Sequence, residues 1–388
     1  MNVGRREGIV VTGGSGFLGG LIAAALLVED SATVVLPIRP HHDVKEVLWH
    51  IAFGVSSLGH EFSEEHRQRL RIIPVSSPDE LRLRSGDLKD LDLSEIVHCA
   101  GCLDYFDKET LQAVNVDLTR RMIERGRAWG VRRFTYISTA YSCGYIEGTA
   151  PESLPPEPAE DPTDYTRTKR AAERLVAESG LPFHIVRPSI LIGTSDSGQY
   201  TGKRYGVYQL WNGLERLMCR KWVPVLHAVG ADRKVHLVHQ DSFQRAFLAA
   251  RRSLPDDSFL HVTTPGETAP TMRQLWDLWL QACARPQQVV YYERMDQLPM
   301  REIDTRQRAF LSLGWTNLEI SSRHWDFATG NLQGLRASGL DFRDVTLESL
   351  GNCQRLFLQE SETIQTFLRR YEKEMAPWPP VRVNFAGA

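Results

Sequence analysis

No stretch of this 388-residue chain approaches the roughly 18 unbroken apolar residues of a membrane-spanning helix, so membrane insertion is not expected. Charge of one sign is not in excess either. The 46 Lys and Arg against 48 Asp and Glu leave a net charge of −2, which removes any global electrostatic motive for a nucleic-acid or anionic-membrane partner. Cysteine is scarce, six residues thinly spread, and only Cys99 and Cys102 make a C-x-x-C. A zinc ribbon needs a second such pair, and c-type haem needs a histidine after the second cysteine, whereas His98 precedes the first. No metal and no structural disulfide are therefore expected, as in a reducing compartment. Arg5 and Arg6 imitate the basic start of a secretory signal, but Gly13, Gly14, Gly16 and Gly19 interrupt the apolar stretch after them, so the expected location is the cytoplasm. Internal repeats and low-complexity tracts are absent, and the sequence gives no oligomeric state.

What is present is ordinary globular composition, 42% hydrophobic and 24% charged, in a chain long enough for two compact units. Short apolar runs alternate with helical patterns through the first half. Strands are expected at Gly8–Thr12, Thr33–Ile38, Ile72–Val75 (with Leu81–Asp87 competing), Glu95–Cys99, Arg133–Ser138 and Phe183–Arg187. Helices are expected at Phe17–Val28, Lys108–Trp129 and Asp164–Ser179, with a Pro-rich loop at Pro151–Pro162. This rhythm specifies an α/β fold, a Rossmann-type doubly wound parallel sheet. After Pro188 the rhythm changes. Gly193–Gly206 reads as a mobile loop, and Val207–Arg220, Thr271–Ala284 and Thr346–Met375 read as helices. Val235–Val238 and Phe259–Val262 look like strands returning to the sheet. The expected layout is a dinucleotide-binding domain from 1–190 plus about 235–262. A smaller, partly interleaved, mainly helical substrate-binding region takes 191–234 and 263–388.

Four features carry chemistry. Thr12, Gly13, Gly14, Ser15, Gly16, Phe17, Leu18 and Gly19 form a G-x-x-G-x-x-G turn between a strand and a helix. There, glycine lets backbone approach a pyrophosphate that the helix N-terminus attracts. Just past the second strand, Leu36-Pro-Ile-Arg39 offers an Arg and no carboxylate, the arrangement that accommodates a 2′-phosphate, so NADP(H) is preferred and NAD(H) stays possible. Tyr165 and Lys169 lie four apart at the start of a helix and share a face. A cation beside a phenol lowers its pKa from about 10 and makes it a useful proton donor or acceptor. Ser138 and Thr139 follow a strand directly and lie on the rim where such sheets bind ligands, unless they merely satisfy their own backbone.

In order along the chain stand Thr12–Gly19, His98-Cys-Ala100, Val114-Asn-Val116, Ser138-Thr-Ala-Tyr141, Tyr165–Lys169 and Arg187-Pro-Ser-Ile-Leu-Ile-Gly193. This combination resembles the extended short-chain dehydrogenase/reductases. The blocks Asn115–Thr119, Phe134–Tyr141 and Arg187–Gly193 are most similar to the thioester reductase and fatty acyl-CoA reductase branch. The likeness is good over residues 8–265 and general beyond. It implies that Thr12, Gly13, Ser15, Gly16, Phe17, Leu18 and Gly19 cradle the dinucleotide, with Arg39 on the 2′-phosphate and Ala100, Pro188 and Ser189 near the rest of the cofactor. It also implies Asn115 as the active-site asparagine and Thr139, or its neighbour Ser138, as the hydroxyl that orients the carbonyl. Tyr165 becomes the general acid, and Lys169 the ligand of the nicotinamide ribose. Two departures stand out: His98-Cys-Ala-Gly101 replaces the usual His-x-Ala-Ala, and the Arg71–Asp87 segment leaves Asp87 only loosely matched to an adenine contact.

The implied reaction is NADPH-dependent reduction of an acyl thioester, on coenzyme A or a carrier protein, to aldehyde or alcohol in a biosynthetic pathway. The same triad also serves ketone or aldehyde reduction, hydroxysteroid-type dehydrogenation and sugar-nucleotide epimerisation or dehydration. A non-catalytic NADP sensor is a rival of another class, for which Tyr165 and Lys169 would be dispensable. Tyr205–Val225, with Trp211 and Trp222, either lines an acyl pocket or packs a core.

Overall fold

Alternating apolar segments assemble a wholly parallel seven-stranded sheet. Its strands are β1 (Arg6–Thr12), β2 (Thr33–Ile38), β3 (Leu70–Pro74), β4 (Leu91–His98), β5 (Arg133–Ile137), β6 (Phe183–Pro188) and β7 (Ser258–Val262), and they stand in the order β7-β6-β5-β4-β1-β2-β3. The computed structural model describes residues 5–81, 88–219, 223–283, 286–375 and 381–386, the side chains of 371–375 apart. Asp87 and Trp222 lie outside the described residues.

Two compact units are present. The first is Met1–Ser189, Gln240–Thr263 and Phe327–Arg343. Both faces of its sheet are covered, which is why its strands are rich in apolar residues; every residue of β2 is buried. On one face lie α1 (Phe17–Glu29) and α2 (Val44–Ser57). Beyond them in the chain come α3 (Lys108–Leu111), α4 (Leu118–Trp129), α5 (Asp164–Ala177) and α6 (Gln240–Ser253). Gln244 of α6 donates from Nε2 to the carbonyls of Leu21 in α1 and Gly54 in α2, at 2.9 and 3.1 Å, and ties these three helices together. On the other face Met122 and Ile123 of α4 and Ala172 and Val176 of α5 pack with Val10, Ile96, Phe134 and Ile185. The direction of strand succession reverses between β1 and β4. A sheet of this kind opens its ligand crevice there, at the strands' carboxyl ends.

The second unit is Ile190–His239, Thr264–Asp326 and Asp344–Ala388. Strand Gln288–Tyr292 lies between Val225–Val229 and Arg382–Phe385 in a parallel three-stranded sheet. Trp211, Trp276, Trp279, Leu226 and Phe357 belong to its buried core.

Several expectations are corrected. Leu237–His239 does not return to the main sheet; it pairs with Ile190–Ile192 in a two-stranded sheet of the second unit. Lys108–Trp129 is not one α-helix, because Gln112–Asp117 forms a π-helical turn between α3 and α4. The helix expected over Thr346–Met375 breaks at Ser361, whose hydroxyl accepts from the Ile364 amide and starts Glu362–Met375 afresh. Residues 327–343 belong with the first unit rather than the second. Their helix α7 (Gly330–Ala337) is held by Asn331, whose Nδ2 donates to the Phe259 carbonyl of β7 at 2.7 Å and whose amide donates to Glu152. Of the two readings left open for Trp211, core packing is the one observed: it is buried in the second unit's hydrophobic cluster. Gly193–Gly206, expected as a mobile loop, is bonded within itself and to the helix Val207–Met218: the Thr194 amide donates to the Gln199 carbonyl at 3.0 Å, the Gly193 amide donates to the Tyr208 hydroxyl, and Tyr200 stacks on Tyr208 at 4.1 Å. Among the described residues no helix is long and apolar enough to cross a membrane.

Beneath the sheet's carboxyl edge lies one fully buried ion pair. Arg187 of β6 meets Glu173 of α5 through two bonds, Nε to Oε1 at 3.0 Å and Nη2 to Oε2 at 2.8 Å, with both side chains sealed from solvent. Arg187 also donates to the Pro151 and Ser153 carbonyls, and Ser142 donates to Glu173. Removing one partner strands the other charge in a medium that solvates it poorly. Glu173→Ala is accordingly expected to cost about 3–5 kcal/mol of stability in denaturant titration, several times the loss from truncating an exposed pair such as Arg252 with Glu29.

Candidate active site

The crevice between β1 and β4 begins at a backbone contact. Gly13 has φ +72°, a left-handed conformation, and a Cβ there would sit 2.8 Å from the Ala100 nitrogen. The turn closes with the Gly16 amide donating to the Gly13 carbonyl at 2.9 Å. A Cβ at Gly19 would lie 2.2 Å from that same carbonyl oxygen, so only glycine permits α1 to spring from the turn. Helix α1 starts at Gly16 with no side-chain cap and no acidic residue in its first turn, which leaves its positive end to an anion from outside. Ser15, Phe17 and Leu18, at this end, are not closed off from solvent. Arg39 stands exposed one residue beyond β2, and its guanidinium makes no hydrogen bond or ion pair with the described residues.

Around the carboxyl ends of β4, β5 and β6 the remaining candidates gather. Asn115 sits in the π-helical turn, fully buried; its Oδ1 accepts from the Cys102 amide at 2.8 Å and its Nδ2 donates to Thr168 Oγ1 at 3.0 Å. π-Turns interrupt helices mostly at functional positions. Lys169 Nζ donates to the Ile137 carbonyl at 2.6 Å, over the Tyr136 ring, and keeps two N–H donors in hand. Thr139 uses its Oγ1 to accept from the Tyr141 amide and start the short 3-10 turn Ala140–Cys143, while its O–H remains able to donate. Ser138 Oγ and Ser189 Oγ are buried and have no partner among the described residues. Pro188, buried, ends β6 beside them. A methyl on Gly101, as the usual alanine would carry, would meet Asn115 Oδ1 at 3.4 Å, an ordinary contact, so this departure widens the wall without disturbing the asparagine.

Burial governs the charges. It pushes the Tyr165 phenol up, assisted by Tyr105, whose ring lies 5.7 Å away, and by Cys99 and Cys102. The shift is upward, away from phenolate, which corrects the expectation of a lowered phenol. The Lys169 amine is itself lowered to about 8 by burial, against the opposing pull of Cys99 and Glu173. His98 is lowered to about 3, by burial and then by Lys169, and its imidazole is neutral. Burial raises the Cys99 thiol to about 12 despite Lys169, so it is no nucleophile. Among the described residues no group of three His, Cys, Asp or Glu is placed to hold a metal.

A dinucleotide fits this site on three observations: the glycine cradle that a Cβ would fill, the uncapped start of α1, and the two unpartnered hydroxyls at the strand ends. Residue patterns alone do not disclose Thr168 as the holder of Asn115, the Glu173–Arg187 pair, or Tyr105 beside Tyr165. Thr168 has the one usable signal, since it lies between Tyr165 and Lys169 on the same helix.

A family model for an NAD-binding family described as male sterility protein matches residues 11–246. An uncharacterized protein of Sinorhizobium fredii is 27% identical over 257 residues, which are 62% of this chain and 52% of the relative; the chain spans about half that protein's length. Among solved structures, the terminal R domain from the myxalamid PKS-NRPS biosynthetic pathway superposes with a TM-score of 0.69 at 19% identity, covering 92% of each chain. A thiolation-reductase di-domain from an archaeal non-ribosomal peptide synthetase gives 0.65 at 16% identity, over 96% of this chain and 77% of the other.

Because the Gly19 contact is with backbone, no side-chain movement relieves it. Gly19→Ala is expected to weaken dinucleotide binding by about a hundredfold or more in fluorescence or calorimetric titration, with the circular dichroism spectrum retained.

Proposed function

Since the chain belongs to the NAD-binding male sterility protein family, we propose that it reduces an acyl thioester with NADPH. Membership makes it an NAD(P)-dependent oxidoreductase of the extended short-chain dehydrogenase/reductase type. The finer reading is supported above all by the extent of the likeness to the terminal R domain. That likeness runs over 92% of both chains and so takes in the second unit, where the motifs of the first give no guidance. The thiolation-reductase pairing of the archaeal protein favours a carrier-bound acyl group, with acyl-CoA sharing the same reacting bond.

In this reading the turn Thr12–Gly19 would hold the pyrophosphate, Arg39 the 2′-phosphate, and Lys169 the nicotinamide ribose, with Ala100 among the cofactor-binding residues and Pro188 and Ser189 close to the ring. The bound cofactor supplies a hydride to the thioester carbonyl carbon. Thr139, with Ser138 beside it, donates to the carbonyl oxygen and favours the negative charge that grows there. Tyr165, its phenol shifted away from phenolate, hands that oxygen its proton. Asn115 keeps the Cys102 backbone and α5 in place. Departure of the thiol leaves the aldehyde, which a second round takes to the alcohol. Binding of the acyl group is assigned to the second unit.

The test is a panel of acyl-CoAs and carrier-bound acyl thioesters with NADPH and NADH. One thiol released per NADPH consumed is expected in the first reduction; ketone reduction without thiol release overturns the reading. Tyr165→Phe is expected to lower kcat by about 10²–10⁴ with dinucleotide affinity retained. Arg39→Ser is expected to weaken NADPH by about tenfold and leave NADH unchanged. Lys169 is charged below its pKa of about 8 and neutral above it. Dinucleotide affinity is thus expected to fall as pH rises through about 8, and Lys169→Met to bind weakly with no such slope, as titrations across that range would register.

A further inference from the structure

The first unit contains a hydrogen-bond chain whose links all point one way. The amides of Cys99 and Ala100 donate to Thr12 Oγ1, at 3.2 and 3.1 Å. Thr12, already accepting twice, turns its own proton to His98 Nδ1 at 2.7 Å. The neutral ring then carries its proton on Nε2, which donates to Thr119 Oγ1 at 3.0 Å. Thr119 donates onward to the Asn115 carbonyl at 2.7 Å. From the Asn115 side chain Nδ2 donates to Thr168 Oγ1 at 3.0 Å, and Thr168 donates to the Tyr165 carbonyl at 2.9 Å. Thr12, His98, Thr119, Asn115 and Thr168 are all buried, and the His98 ring is flanked by Phe134 and Tyr136, each 5.9 Å from it.

We propose that His98, Thr119 and Thr168 are positioning residues, forming a link that fixes Tyr165 against the glycine turn through Asn115. The turn follows β1 and the acid opens α5, elements far apart in the chain, and their relative placement is what proton delivery beside a bound dinucleotide requires. Buried hydrogen bonds suit this task because each permits only a narrow range of distance and direction, whereas apolar packing tolerates sliding. Histidine fits the middle of the link because one ring nitrogen accepts while the other donates across the width of the ring. The proposal rests on Tyr165 being the proton donor of the proposed reaction; the chain's existence does not.

Two arms test it. With ¹⁵N-labelled histidine, the His98 ring nitrogens, assigned by their loss in His98→Gln, are expected to show the neutral Nε2–H tautomer throughout about pH 5–9, with slow exchange of that proton. Thr119→Val is expected to speed that exchange by about tenfold or more and Thr119→Ser to leave it slow. An Nδ1–H tautomer, or a ring that titrates in this range, overturns the chain whether or not the thioester reading holds. In turnover, Thr119→Val and Thr168→Val are each expected to lower kcat per folded protein about tenfold or more, with KM for the dinucleotide within about threefold, and the serine variants to recover most of the rate. Unchanged kcat in the valine variants, or serine no better than valine, reduces the chain to packing. Should Thr119→Val not fold, the Thr168 pair reads the same chain one link on. A parent enzyme inactive on every thioester, with the NMR signature present, fails the thioester reading alone.

Discussion

The peptide at Gly13 lies against the backbone of Cys99 and Ala100, and the rest of the site depends on that contact. No side chain fits between the two strand ends, so β1 and β4 can leave the sheet only as close neighbours. The contact forces φ at Gly13 into the left-handed region and brings Thr12 Oγ1 to the amides of Cys99 and Ala100. It also sets the starting point of α1, whose N-cap residue, Gly16, has no side chain to cap the helix. The first amides of α1 are thereby left to an anion from outside.

Desolvation is the second organising influence. It raises the phenol of Tyr165 and the thiol of Cys99 and lowers the imidazole of His98, in each case toward the uncharged form. Charge survives inside the first unit where it is matched, as in Glu173 with Arg187. Lys169 is the exception that matters. Its amine has a backbone carbonyl and an aromatic face beside it but no carboxylate in direct contact, so it sits close to losing its proton. A group in that condition responds readily to a ligand hydroxyl or phosphate.

The parallel sheet is legible because strands buried on both faces are rich in apolar residues, and Ile9–Val11, Val34–Ile38, Ile96–Val97, Tyr136–Ile137 and Ile185–Val186 give β1, β2, β4, β5 and β6 that mark. Helix α2 carries a signal of its own, in Asp43 capping the Lys45 amide and in Val47, Ile51 and Val55 on one face, but it is weaker than the glycine pattern that precedes α1. The second unit is poorly legible. Strands Val225–Val229 and Gln288–Tyr292 are short and far apart in the chain, and nothing local says that they pair. The π-turn at Asn115 leaves no periodic trace, since a single extra residue shifts the apolar pattern by less than the pattern's own irregularity.

Sequence by itself determined the glycine turn, the strand-helix alternation and the four-residue spacing of Tyr165 and Lys169, because each of these is decided by neighbours within a turn or two of backbone. Only the tertiary structure decided the direction in which the Tyr165 phenol is shifted, the partner of Lys169, the assignment of 327–343 to the first unit and the chain from Thr12 to Tyr165. Those depend on burial and on contacts between residues tens to more than a hundred positions apart. Free energies of solvation are set by what surrounds a group in space, which composition and spacing along the chain do not encode.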